Sequence, residues 1–87
     1  MKVTIYTKPG CGPCAATKHA LESRGIPFEA VNVMDDAASL DALRGLGYLT
    51  VPVVLVQGEG GGTHWGGFQL DRIAELAGRL RMQEVEK

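Results

Sequence analysis

Apolar and polar side chains alternate through KVTIYT (2–7). Val3 and Ile5 fall on one face, Thr4 and Tyr6 on the other, and the run is β-branched and aromatic, so it predicts a strand. The loop KPGCGP follows. From Pro13 to Arg24 the helix formers Ala15, Ala16, Lys18, Ala20, Leu21 and Glu22 predict a helix, with Pro13 near its start, where a backbone N–H would be unpaired anyway. Gly25 and Pro27 stop it. FEAVNV (28–33) predicts a second strand, parallel to the first because a helix connects the two.

Asp35 or Asp36 is placed to cap a second helix over Ala37–Leu46, with Leu40 and Leu43 on one side and Gly45 and Gly47 at its end. The unbroken apolar run VPVVLV (51–56) fits a strand covered on both faces. QGEGGGT predicts a hairpin tip rather than a phosphate loop, since no helix directly follows it. THW is a short strand, and QLDRIAELAGRL places Leu70, Ile73, Leu76, Ala77 and Leu80 at helical spacing, a last amphipathic helix. One domain over 1–82 and a polar C-terminal tail over 83–87 are expected. The element order βαβαββα predicts an α/β fold: a four-stranded mixed sheet with three helices, resembling the short form of the thioredoxin-like arrangement.

Composition narrows the function. The 87 residues are 45% hydrophobic with a net charge of -1, ordinary for a small globular domain. No basic excess points to nucleic acid. No run approaches the ~18 apolar residues of a membrane span. MKVTIYTKPG has too short an apolar run for a signal peptide. The expected setting is cytoplasmic, where thiols are held reduced and a cysteine pair is more often catalytic or metal-binding than a permanent staple. A staple between residues three apart would also close too small a loop to contribute much.

Both cysteines, Cys11 and Cys14, lie in KPGCGPCAATK. The loop-to-helix boundary places Cys11 where unpaired N–H groups and the helix dipole stabilise a thiolate. Such positions lower a thiol pKa from about 8.5 to roughly 3.5–7.5. Cys11 is therefore the expected nucleophile, and Cys14, one turn inside, the resolving thiol. The competing reading is a metal. A structural zinc takes four protein ligands, and only His19 and His64 could complete the pair; His19 falls five residues after Cys14 on the same helix, an awkward angle, so no metal ligand is assigned.

The tetrad CGPC resembles that of thioredoxins, yet only ten residues precede Cys11 and Gly10 stands where thioredoxins carry Trp. TIYTKPGC and TVP resemble glutaredoxins. Across VTIYTKPGCGPC, LGYLTVPVV and HWGGFQLDRIAELAG the chain is similar to the glutaredoxin-like NrdH-redoxins, which feed electrons to class Ib ribonucleotide reductase. The resemblance implies a glutaredoxin-type fold, attack by Cys11 and resolution by Cys14. It also implies a cis-proline at Pro52 that turns the Val51 backbone outward to pair with an extended substrate; the plainer reading of Pro52 is a strand-start residue. Lys8 would lie near the thiols and favour the thiolate, or is simply a solvated lysine at a strand end.

The departures from the family are specific. Gly12 and Pro13 replace bulkier or polar residues between the cysteines and suggest thioredoxin-like redox behaviour. The late family motif W-S-G-F-R-P-D reads WGGFQLD: Trp65, Gly67, Phe68 and Asp71 match, while Gly66, Gln69 and Leu70 do not. Trp65, Gly67 and Phe68 are candidates for a partner surface; Trp65 and Phe68 could equally pack under the last helix. Glutaredoxins hold the γ-glutamyl end of glutathione with G-G-x-[ST/D]-D. Here Phe68, Gln69 and Leu70 follow Gly66 and Gly67, and Asp71 arrives late. Leucine at the carboxylate position leaves ligand charges unpaired. The expected electron donor is thus a flavin-dependent thioredoxin reductase using NADPH, with both cofactors on that partner and none bound here, since no G-x-G-x-x-G follows a strand. The expected protein is a monomeric dithiol–disulfide electron carrier. The alternatives are a glutaredoxin using glutathione or another small thiol, and a module holding an iron–sulfur cluster or zinc.

Overall fold

The computed structural model describes residues 2–58 and 61–85. The elements run β1 (Lys2–Thr7), α1 (Gly12–Ser23), β2 (Glu29–Asn32), α2 (Ala37–Gly45), β3 (Val53–Gly58), β4 (Gly61–Gly66) and α3 (Leu70–Val85). The sheet order is β2-β1-β3-β4. β1 and β2 are parallel, as the intervening helix requires; β1–β3 and β3–β4 are antiparallel. This is the expected mixed sheet with three helices.

The alternation read in β1 decides how the layers pack. Val3 and Ile5 join Val54, Val56 and Trp65 of the sheet to Ala20 and Leu21 of α1 and to Ile73, Leu76 and Ala77 of α3. On the opposite face, Val53 packs with Leu43 of α2 in a smaller cluster that includes Cys14, Val33 and Val51. Tyr6 borders it. Each fully buried Ile, Leu or Val contributes about 1.5–3 kcal/mol, so the α1/α3 face carries most of the stability.

Helix ends follow local chemistry. Asp36, not Asp35, caps α2, its carboxylate accepting from the Ser39 N–H at 3.2 Å and the Ser39 hydroxyl at 2.9 Å. Gly25 and Gly47 adopt positive φ of 67° and 96° after α1 and α2, a left-handed turn that side chains disfavour.

Three elements differ from expectation by two residues or more. β3 begins at Val53, two residues after the start of the apolar run, because Pro52 has no N–H to give a ladder. β4 is six residues long rather than three: Gly61 and Gly62 pair with Gly58 and Gln57, so part of the glycine-rich stretch extends the strands. Glu59 and Gly60, at the expected hairpin tip, lie outside the described residues. α3 continues to Val85, into the segment expected as a tail; residues 86 and 87 lie outside the described residues. Among the described residues, no helix is long and apolar enough to cross a membrane.

Candidate active site

Cys11 is the N-cap residue of α1. Its extended backbone (φ -94°, ψ 108°) ends the loop, and its sulfur accepts a hydrogen bond from the Cys14 N–H at 3.2 Å. Sulfur thus takes the place that a Ser or Asp oxygen fills in an ordinary cap. No acidic residue lies in the first turn of α1, so the positive end of the helix faces the sulfur alone. Gly12 and Pro13, both exposed, form the start of that turn. The Thr17 hydroxyl donates to the Pro13 carbonyl at 2.8 Å and fastens it from inside.

Cys11 and Cys14 are joined as a disulfide, with Cα atoms 5.2 Å apart. They differ in access. Cys11 is half-buried, whereas Cys14 is only 1% exposed. An incoming sulfur can reach the first and not the second.

The next wall of the site comes from β3. The Val51–Pro52 peptide is cis. The Val51 carbonyl oxygen lies 3.9 Å from Cys11 Sγ. Among the described residues no backbone hydrogen bond ties Val51 to another segment; its carbonyl accepts from the Thr50 hydroxyl at 3.4 Å. The turn that follows β4 is bonded to the same segment. Gly67 has φ +79°, and its N–H donates to the Pro52 carbonyl at 2.8 Å, drawing the end of β4 against the proline. The Gln69 side-chain amide donates to the Gly66 carbonyl at 2.8 Å, and the Gln69 carbonyl accepts from Ile73 N–H at 3.2 Å, so Gln69 links this turn to the start of α3.

The candidates drawn from the sequence divide here. Cys11, Cys14, Gly12, Pro13 and Val51 lie at the disulfide, Pro52 follows Val51 through the cis bond, and Gly67 is bonded to Pro52. Lys8 is exposed and lines a cavity of about 180 Å³ with Val51, Met34, Leu40, Arg44 and Leu49. Phe68 is 44% exposed and belongs to the surface, but Trp65 is 5% exposed and belongs to the core. The register explains the split. Trp65 is opposite Val54 and shares its α1/α3 face, whereas Phe68 lies beyond the strand. Trp65 is therefore not a partner-surface residue. Among the described residues its indole N–H has no hydrogen-bond partner.

Sequence reading missed Tyr48 as a neighbour of the site. It borders the cluster that holds Cys14 and Val51, and its hydroxyl is hydrogen-bonded to His64 Nδ1 at 2.5 Å. The available signal was Gly66, a strand residue without a side chain: a Cβ there would lie 3.0 Å from the Tyr48 ring. The family's Ser at this position and this placement of Tyr48 compete for the same space.

The glutaredoxin family profile matches residues 3–60. The glutaredoxin-like protein NrdH of Salmonella typhimurium is 47% identical over 78 residues, spanning 87% of this chain and 89% of its own. Among solved structures, the NrdH-redoxin of Escherichia coli, a glutaredoxin-like protein with a thioredoxin-like activity profile, superposes with TM-score 0.78 at 42% identity, over 87% of this chain and 95% of its own. A glutaredoxin from Archaeoglobus fulgidus superposes with TM-score 0.67 at 25% identity, over 86% and 84% of the two chains.

Proposed function

The chain belongs to the glutaredoxin family and is an NrdH-like thiol–disulfide oxidoreductase, and within that activity we propose that it is a cytoplasmic electron carrier, reduced by thioredoxin reductase and reducing protein disulfides, that of class Ib ribonucleotide reductase first among them. One observation carries the reading. Among the described side chains the exposed large apolar ones are Met34, Leu46, Leu49, Phe68 and Leu70. Each lies in a segment that follows or precedes a strand at the end of the sheet where the disulfide sits. Apolar side chains exposed at the end of the sheet that carries a reactive sulfur suit a protein surface better than a charged tripeptide. Leu70, 45% exposed, stands where a glutaredoxin offers a side chain to the γ-glutamyl carboxylate, and Asp71 is already in the first turn of α3. The thioredoxin-like activity profile of the Escherichia coli NrdH-redoxin supports the same donor.

The chemistry then follows the access difference between the two cysteines. In the reduced protein the Cys11 thiolate, held by the Cys14 N–H, attacks one sulfur of the target disulfide; the other sulfur leaves as a thiolate and takes a proton. Cys14 gives up its proton and attacks Cys11 Sγ, releasing the target's second thiol and closing the Cys11–Cys14 disulfide. Two electrons have passed to the target. The reductase returns them from NADPH through its flavin, so both cofactors reside on the partner. The Val51 peptide groups pair with the extended segment of target that carries the attacked sulfur. Reconstitution tests this reading: class Ib ribonucleotide reductase should turn over with NADPH, thioredoxin reductase and this protein. Absence of turnover when each component is separately active would sink that assignment.

A further inference from the structure

Three features converge on Tyr48. Its hydroxyl is hydrogen-bonded to His64 Nδ1 at 2.5 Å. Its ring meets the imidazole edge-on, with centroids 5.4 Å apart and planes at 85°. It also covers Gly66 so closely that a Cβ there would lie 3.0 Å from ring Cε1. His64 and Gly66 are alternate residues of β4 and share one face of the sheet, opposite the face of Trp65.

The segment from which Tyr48 reaches across has little else to hold it. The N–H groups of Leu46, Gly47 and Tyr48 donate to carbonyls of α2, and the next backbone bond along the chain is the one received by the Pro52 carbonyl. Between them, Leu49 is 91% exposed and Thr50 is exposed, and neither they nor Val51 has a backbone bond to another segment among the described residues. This stretch ends at Val51, whose carbonyl oxygen lies 3.9 Å from Cys11 Sγ. Its far end is held to the turn after β4 by the bond from the Gly67 N–H to the Pro52 carbonyl at 2.8 Å. The Tyr48 side chain ties its near end to β4 as well, so Leu49, Thr50 and Val51 run between two anchors.

We infer that Tyr48 and His64 act together as positioning residues for polypeptide substrates: their bond fixes the near end of the stretch that leads to Val51, and so the fit of an extended chain against Val51, without touching the sulfur chemistry. The inference rests on the reading of Val51 as the substrate-pairing backbone. A small disulfide needs only Cys11 and is indifferent to how the 49–51 stretch is held. A protein disulfide needs Cys11 and the Val51 backbone together.

The test is single-turnover oxidation of the pre-reduced protein, by insulin and separately by bis(2-hydroxyethyl) disulfide. The variants are Tyr48→Phe, His64→Phe and the double substitution. Each single change removes one partner of the hydrogen bond and keeps an aromatic ring. A neutral hydrogen bond is worth roughly a two- to tenfold change in an equilibrium. The half-saturating insulin concentration should therefore rise about that much in each single variant, and no further in the double variant, because both act through one bond. The limiting rate with insulin and the rate with the small disulfide should stay within about twofold of the wild type. Unmoved half-saturation, additive effects of the two substitutions, or equal losses on both oxidants would each overturn the inference. A wild-type protein that the small disulfide oxidises and insulin does not would instead overturn the reading of Val51 on which it rests.

Discussion

The backbone N–H of Cys14 points at the sulfur of Cys11 from 3.2 Å, so one cysteine caps the helix that begins with it and the other supplies the donor. The same helical turn buries Cys14 to 1% exposure and leaves Cys11 within reach. The proposed division of labour between the thiols rests on this position on the helix.

After reduction, a limiting amount of iodoacetamide should alkylate Cys11 in preference to Cys14. Peptide mass spectrometry reads the ratio directly. Equal labelling of the folded protein would contradict the assigned order of attack.

Replacement of either thiol separates the two steps. Cys11→Ser should reduce disulfide turnover to background. Cys14→Ser should accumulate a mixed disulfide with the target, visible as a band that reductant removes. Full-rate reduction of protein disulfides by Cys14→Ser would show that the second thiol is not needed.

Trp65 and Phe68 stand three residues apart and should fail differently. Trp65→Ala opens the main core and should cost about 3–5 kcal/mol of stability, measured by urea unfolding. Phe68→Ala removes an exposed ring and should leave stability within about 0.5 kcal/mol, while raising the KM for thioredoxin reductase or the protein target. A stability loss at Phe68 as large as at Trp65 would put both in the core.

Asp36 gives a pH dependence. The Ser39 hydroxyl, and then its backbone N–H, hold the Asp36 carboxyl below its ordinary value of 3.8. A depressed carboxyl contributes stability that is present above 3.8 and lost as pH falls through the lower folded value. Asp36→Ala should lower the urea midpoint at pH 7. Asp36→Asn, which keeps an acceptor and cannot titrate, should flatten the part of the acid-side decline that this group causes. Identical acid profiles for wild type and Asp36→Asn would contradict the cap.

The sheet and the disulfide were legible because their signals are local. Val3 and Ile5 against Thr4 and Tyr6 reveal the faces of β1, and a cysteine before Gly12–Pro13 marks a helix start. Pro52 could be placed by its resemblance to a family motif, and the cis bond is present. What stayed hidden depends on register between strands. The Val54–Trp65 pairing sends the indole into the core, and the alternation leaves His64 and Gly66 facing Tyr48. A glycine-rich stretch reads as a turn in one dimension, yet Gly61 and Gly62 lengthen β4 once a partner strand supplies the ladder. Tyr48 and His64 are sixteen residues apart, and neither has a signal of its own without that register.

The most direct test of the central claim is NADPH oxidation with insulin as acceptor, run once with thioredoxin reductase and once with glutathione plus glutathione reductase. The apolar side chains exposed at the disulfide end of the sheet and the leucine at position 70 predict turnover with thioredoxin reductase and only background with glutathione. Turnover carried mainly by glutathione would make the protein a glutathione-dependent glutaredoxin and contradict the account.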